Sequence, residues 1–193
     1  MARILMVASE GLPFIKSGGL ADVVGSLPQE LVKKGHEVRV IMPMYLKIAQ
    51  KFHEEMQLEA QYSVSIAYHE VPVNIWSTTR KEVKFYFVEH KGYFERDGLY
   101  GYIDDGERFA YFQKAVLEML NQLNYFPEIM HCHDWHTGML PAMCKEGHSF
   151  DERYRNIRFV YTIHNLAFQG NFGPEMLDSC LGLDYRIFDN GNV

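Results

Sequence analysis

Arg3-Ile4-Leu5-Met6-Val7-Ala8-Ser9 is a short, almost continuous apolar run, and with the helix and strand beyond it this run decides the fold. A strand buried on both faces of a parallel sheet reads this way. After a glycine-containing loop, Leu20, Val23, Val24, Leu27 and Leu31 recur at helical spacing. Pro28 interrupts that pattern and predicts a kink, while Lys33, Lys34 and Gly35 suit a helix C-terminus. Val38 to Met42 is a second buried run. Strand, loop, helix, strand is a βαβ unit, so the chain begins as an α/β fold with a mostly parallel, Rossmann-like sheet.

Outward from that unit the rhythm changes. Val64, Ile66 and Tyr68 alternate, as do Val71, Val73 and Ile75, then Val83, Phe85 and Phe87. Period-two alternation, with Thr78-Thr79-Arg80-Lys81 as a turn, predicts a β-hairpin or meander inserted beside the main sheet. A loop rich in Gly and Tyr, 91–106, leads to a helix carrying Phe109, Phe112, Val116, Leu120 and Leu123. Asp104 with Glu107 has the spacing of a capping box. Glu128 to Cys132 and Ile157 to Ile163 are further strands, with a short helix from about Thr137 to Lys145 between them.

The chain has 193 residues, 47% hydrophobic and 23% charged, enough for one globular domain with a real core. Its net charge of -6 is spread evenly, without the clustered Lys and Arg that nucleic-acid binding requires. The first apolar run is too short for a signal-peptide core or a membrane span. Cys132, Cys144 and Cys180 are odd in number and form no CxxC. A reduced, cytoplasmic protein is expected, with neither nucleic acid nor membrane as partner.

Three loops bring reactive side chains to one edge of the sheet, where ligands bind in open α/β folds. Gly11-Leu12-Pro13-Phe14-Ile15-Lys16-Ser17 nearly spells a Walker A loop, but Ile15 stands where that loop needs glycine, and no G-x-G-x-x-G is present. Gly18 and Gly19, just before a helix, let backbone N–H groups approach a ligand, and Lys16 adds positive charge. That combination suits a phosphate or diphosphate; the alternative is a tight turn with a solvated lysine.

His131-Cys132-His133-Asp134-Trp135-His136 tempts as a metal site, yet no H-E-x-x-H or paired-cysteine motif supports one, so no metal is expected. Strand alternation places His131 and His133 on one face and Cys132 on the other, with His131 a core or sheet-face residue. Asp134 is then free to bond sugar hydroxyls, and Trp135 to stack or buttress. His164-Asn165 can donate to and accept from a sugar, against the plainer reading of a structural histidine. Serine hydrolase motifs are missing.

Lys16-Ser17-Gly18-Gly19-Leu20-Ala21-Asp22-Val23, His133-Asp134-Trp135-His136 and Thr162-Ile163-His164-Asn165-Leu166-Ala167-Phe168-Gln169-Gly170, in this order and spacing, resemble the successive signatures of ADP-glucose-dependent glycogen and starch synthases. The resemblance covers essentially the whole chain; Ser17 stands where that family usually has Thr. It implies residues 1–193 as the N-terminal, acceptor-side lobe of a GT-B glycosyltransferase, with the C-terminal nucleotide-binding lobe lying outside this chain. It also implies a retaining transfer of glucose from ADP-glucose to the non-reducing end of an α-1,4-glucan, without metal or other cofactor. By the same resemblance His164 and Asp134 are the catalytic groups, and Lys16, Gly18, Gly19 and Asn165 bind the donor. Asp22 supports the loop, and Tyr100, Trp135 and Gln169 are weaker candidates for the acceptor groove. An isolated chain of this kind is expected to be inactive. The alternatives are a glucan-binding or regulatory module of the same fold, or a transferase using a UDP-sugar.

Overall fold

A computed structural model describes residues 1–187; residues 188–193, the end of the expected lobe, lie outside the described residues. Arg3–Val7 (β1) is followed by Gly19–Lys33 (α1) and Glu37–Pro43 (β2). Leu46–Phe52 (α2) leads to Gln57–Ile66 (β3), His69–Arg80 (β4) and Val83–Glu89 (β5). Lys91–Phe94 (α3) and Asp105–Gln122 (α4) precede Ile129–His133 (β6). Leu140–Gly147 (α5), Glu152–Arg155 (α6) and Arg158–Thr162 (β7) come next.

The strands form one sheet in the order β3-β4-β5-β2-β1-β6-β7. From β5 to β7 every pairing is parallel, and β3, β4 and β5 are antiparallel neighbours. The meander therefore shares β5 with the parallel sheet and extends it. Leu5, Met6 and Val7 in β1, an interior strand, are wholly buried, as the unbroken apolar run requires. Helix α1 packs on β2 and β5, and α4 packs on β3, β5 and α5.

Several local expectations shift. Thr78, Thr79 and Arg80 belong to β4 and pair with Phe85, Lys84 and Val83. The chain reverses at Lys81 and Glu82, both with positive φ (49° and 64°). Two left-handed residues match the twist of a tight hairpin, so the turn needs no more than those two. Tyr68 likewise sits in a turn with Ala67 rather than on a strand face. Helix α1 continues through Pro28 and ends at Lys33, with Gly35 at φ 85° just beyond. Asp104 precedes α4 but makes no side-chain cap; its two carboxylate oxygens hold Arg96 Nη1 and Nη2 at 2.6 Å. A bidentate guanidinium out-competes a backbone N–H for that carboxylate. The helix expected from Thr137 begins at Leu140, because Trp135–Thr137 form a 3-10 turn first.

Candidate active site

The loops after β1, β6 and β7 leave neighbouring strands at their carboxyl ends. They enclose a cavity of about 560 Å3, in the range of small-molecule sites. Gly18, Gly19 and Leu20 form one wall, at the N-terminus of α1. Gly18 is the N-cap and, having no side chain, caps nothing, so the first N–H groups of a four-turn helix stay available. Those groups and the helix dipole favour an anion by about 0.3–1 kcal/mol at an exposed end.

Asp134, Trp135 and His136 make the opposite wall. Asp134 holds a positive φ of 56° with ψ 178°, a region that only glycine occupies freely; such strain costs about 1–3 kcal/mol. Its surroundings fix it. Asp134 N–H donates to Thr162 O at 3.0 Å, and Thr137, wholly buried, donates its hydroxyl to both His133 O and Asp134 O. Asp134 Oδ1 accepts the backbone N–H of His164 at 2.7 Å, tying the β6 and β7 loops together. His164 and Asn165 close the third side.

The imidazoles form a stack. His131 lies 4.1 Å from His133 between ring centroids, and His133 lies 5.2 Å from His164. His131 Nε2 meets Thr162 Oγ1 at 2.7 Å, and His133 Nδ1 meets His164 Nε2 at 2.9 Å. Burial, helped by the two flanking imidazoles, pushes His133 down to about 3; burial also pushes His136 down to about 3. Both rings are neutral at any ordinary pH.

Of the residues singled out from sequence, Gly18, Gly19, Tyr100, Asp134, Trp135, His164 and Asn165 line this one cavity. Tyr100 reaches it from the loop before α4, its hydroxyl donating to Ser9 Oγ at 2.8 Å and its ring 4.7 Å from that of His136. Lys16, Asp22 and Gln169 do not line it. Lys16 is paired with Asp22 and borders an adjacent groove with Lys47 and Lys51. The Gln169 amide donates to Leu166 O at 3.1 Å, within its own loop.

Glu10 was not anticipated. It is 3% exposed, borders the cavity, and accepts the backbone N–H of Ser17, so it holds the glycine loop to the end of β1. A polar residue directly after a buried strand was the available signal. Arg108 was missed as well, since it occupies a helix position flanked by Phe109. Its guanidinium is wholly buried and bonds Asp105 Oδ1 at 2.9 Å and Leu99 O at 3.0 Å. Asp105 in turn accepts the Gly101 N–H at 2.7 Å, so this pair clamps both neighbours of Tyr100.

Comparison with known proteins adds to this geometry. Residues 3–193 match the family model described as the starch synthase catalytic domain. The chain is 44% identical over 191 residues to a glycogen synthase of Streptococcus agalactiae, and 44% identical to one of Clostridium kluyveri. In both cases the match covers 99% of this chain and 40% of the relative, so the chain spans well under half the length of these curated relatives. Among solved structures it is similar to the catalytic domain of starch synthase IV from Arabidopsis thaliana bound to ADP and acarbose. That match has a TM-score of 0.84 and 31% identity, covering 95% of this chain and 38% of the other.

Proposed function

As this chain belongs to the starch synthase catalytic domain family, we propose that it forms the acceptor-side wall of a retaining glucosyltransferase. The reaction is transfer of glucose from ADP-glucose to the non-reducing end of an α-1,4-glucan such as glycogen. The observation that carries this reading is the convergence of the Gly18-Gly19 helix start, Asp134 and His164-Asn165 on one cavity. ADP and acarbose, bound to the starch synthase IV domain, are a nucleotide and an oligosaccharide-like ligand, and this cavity has walls suited to each.

Departure of ADP builds negative charge on the diphosphate and positive charge at the anomeric carbon. The N–H groups at the start of α1 are fixed in advance, so they stabilise the first charge without reorganising. One such donor contributes about 2.7–4 kcal/mol in a water-excluded site. The Asp134 side chain, aimed by its strained backbone, and the polar groups of His164 and Asn165 serve the sugar side. The remaining nucleotide contacts are assigned to a second lobe outside residues 1–193. Holding donor and acceptor in register between two lobes contributes about 7–11 kcal/mol, so the chain alone is expected to transfer little or no glucose. Its setting is taken as cytoplasmic; no helix among the described residues is long and apolar enough to cross a membrane.

The test is incorporation of labelled glucose into glycogen by the protein joined to its second lobe, with ADP-glucose and UDP-glucose compared. Incorporation from ADP-glucose, absent with residues 1–193 alone, supports the reading. Glycogen binding without transfer in the joined protein favours a glucan-binding module instead.

A further inference from the structure

His133 is wholly buried, and among the described residues only its Nδ1 has a partner, His164 Nε2 at 2.9 Å. Among the described residues, His133 Nε2 is enclosed without a hydrogen-bond partner. The ring is neutral, so it carries one proton, and two arrangements are available. With the proton on Nε2, a buried N–H is left without an acceptor while Nδ1 accepts from His164. With the proton on Nδ1, that N–H donates to His164 Nε2 and only a lone pair is left unpaired. A buried N–H without an acceptor is the rarer defect in folded proteins.

We infer that His133 is a positioning residue: its Nδ1–H donates to His164 Nε2 and thereby fixes His164 as the Nδ1–H tautomer, facing the cavity as a hydrogen-bond donor. The hydrogen bond made by one imidazole nitrogen decides which form the other takes. The supporting frame is rigid. Thr137 holds the His133 carbonyl, His131 stacks on the His133 ring, and the Asp134 carboxylate holds the His164 backbone. His164 is therefore fixed at ring and main chain by two consecutive residues of the β6 end. Among the described residues, the titratable groups facing His133 are the imidazoles of His131 and His164, neither of which supplies a counter-charge. Burial and these neighbours lower its pKa, in keeping with a neutral donor. A role for that donor in glucosyl transfer rests on the function proposed above; the tautomer itself does not.

The test is imidazole nitrogen NMR on the labelled 193-residue chain at alkaline pH. Long-range proton–nitrogen correlations should show His164 as the Nδ1–H tautomer, and a nitrogen–nitrogen coupling across the hydrogen bond should link it to His133. His164 found as the Nε2–H tautomer, or no such coupling, overturns the inference without needing any variant. His133→Asn keeps an N–H near the Nδ1 position and should hold the tautomer, whereas His133→Phe should release it. An unchanged tautomer in His133→Phe also overturns it. In the joined enzyme, His133→Phe should lower kcat by about 10- to 100-fold, the size of effect seen when a metal-bound imidazole loses its outer hydrogen-bond partner. The KM for glycogen should stay near its original value, and His133→Asn should recover most of the loss. If the unaltered joined protein transfers no glucose while the tautomer and coupling are as expected, the proposed function fails and His133 keeps its positioning role.

Discussion

The Lys16 ammonium lies 2.7 Å from both carboxylate oxygens of Asp22, and neither residue lines the cavity bordered by the neighbouring Ser17, Gly18 and Gly19. The pair is about half exposed, so it contributes only ~0–1 kcal/mol to stability. What it does is hold the lysine at the entrance to the helix start. Lys16→Ala in the joined enzyme should raise the KM for ADP-glucose far more than that for glycogen, at almost unchanged thermal stability. Steady-state kinetics with each substrate varied in turn decide this; equal weakening of both would contradict a donor-side role.

Gly170 lies against the indole of Trp135. A Cβ there would come within 2.5 Å of the ring, and φ is 64°. Gly170→Ala thus meets both a steric clash and a strained backbone, each on the order of 1–3 kcal/mol. A drop in urea stability of about that size should accompany reduced glucan affinity, because Trp135 borders the cavity. Gly170→Ala with unaltered stability would show that the loop can swing away from the indole.

Arg108 and Asp105 are a buried ion pair whose other bonds run to Leu99 and Gly101 on either side of Tyr100. Removing one partner of a buried pair strands the other charge, at about 3–5 kcal/mol. Asp105→Ala should show that loss in chemical denaturation. Arg108→Met, which fills the space with apolar volume, should still lose the loop contacts and raise the KM for the acceptor.

How much of this was readable beforehand differs by element. The parallel core was, because the apolar run of β1 is unbroken and that of β2 is interrupted by Arg39 alone. The glycine loop and the two strand-end clusters were readable because chemistry-bearing residue types follow the apolar runs of β1, β6 and β7. The turn at Ala67-Tyr68 was not, and the one expected at Thr78–Lys81 lies at Lys81-Glu82, since none of these four turn residues advertises a positive φ. The burial of Glu10 and Arg108 was hidden for a related reason, although the position of Glu10 after a buried strand was a signal. Their burial depends on loops folding over them, and period and propensity report only on the element to which a residue belongs. The Lys16–Asp22 pairing was equally out of reach, because side-chain direction at a helix start is settled by local partners.

Acid should destabilise the fold through its buried imidazoles. His133 and His136 titrate near 6.5 when unfolded and at about 3 in the folded chain. Between those values the unfolded chain binds more protons, so stability falls as pH falls and is complete above about 6.5. Each ring contributes a slope of about 1.4 kcal/mol per pH unit in that window. Urea midpoints measured from neutral to pH 4 should show the decline, and His136→Gln should make it shallower. A midpoint independent of pH across this range would rule out neutral burial of these rings.

The strand order carries a consequence for how the molecule assembles. Strand β1 is made first, yet its second edge waits for β6, with Ile4 paired to Ile129. The β2–β5 side, by contrast, draws its neighbours from nearby in the chain, apart from the return to β2. Contacts between distant segments close slowly because the intervening chain must first lose its freedom. The reactive edge therefore belongs to the late-forming half of the sheet. A ribosome-bound chain can own a folded meander long before it owns a cavity.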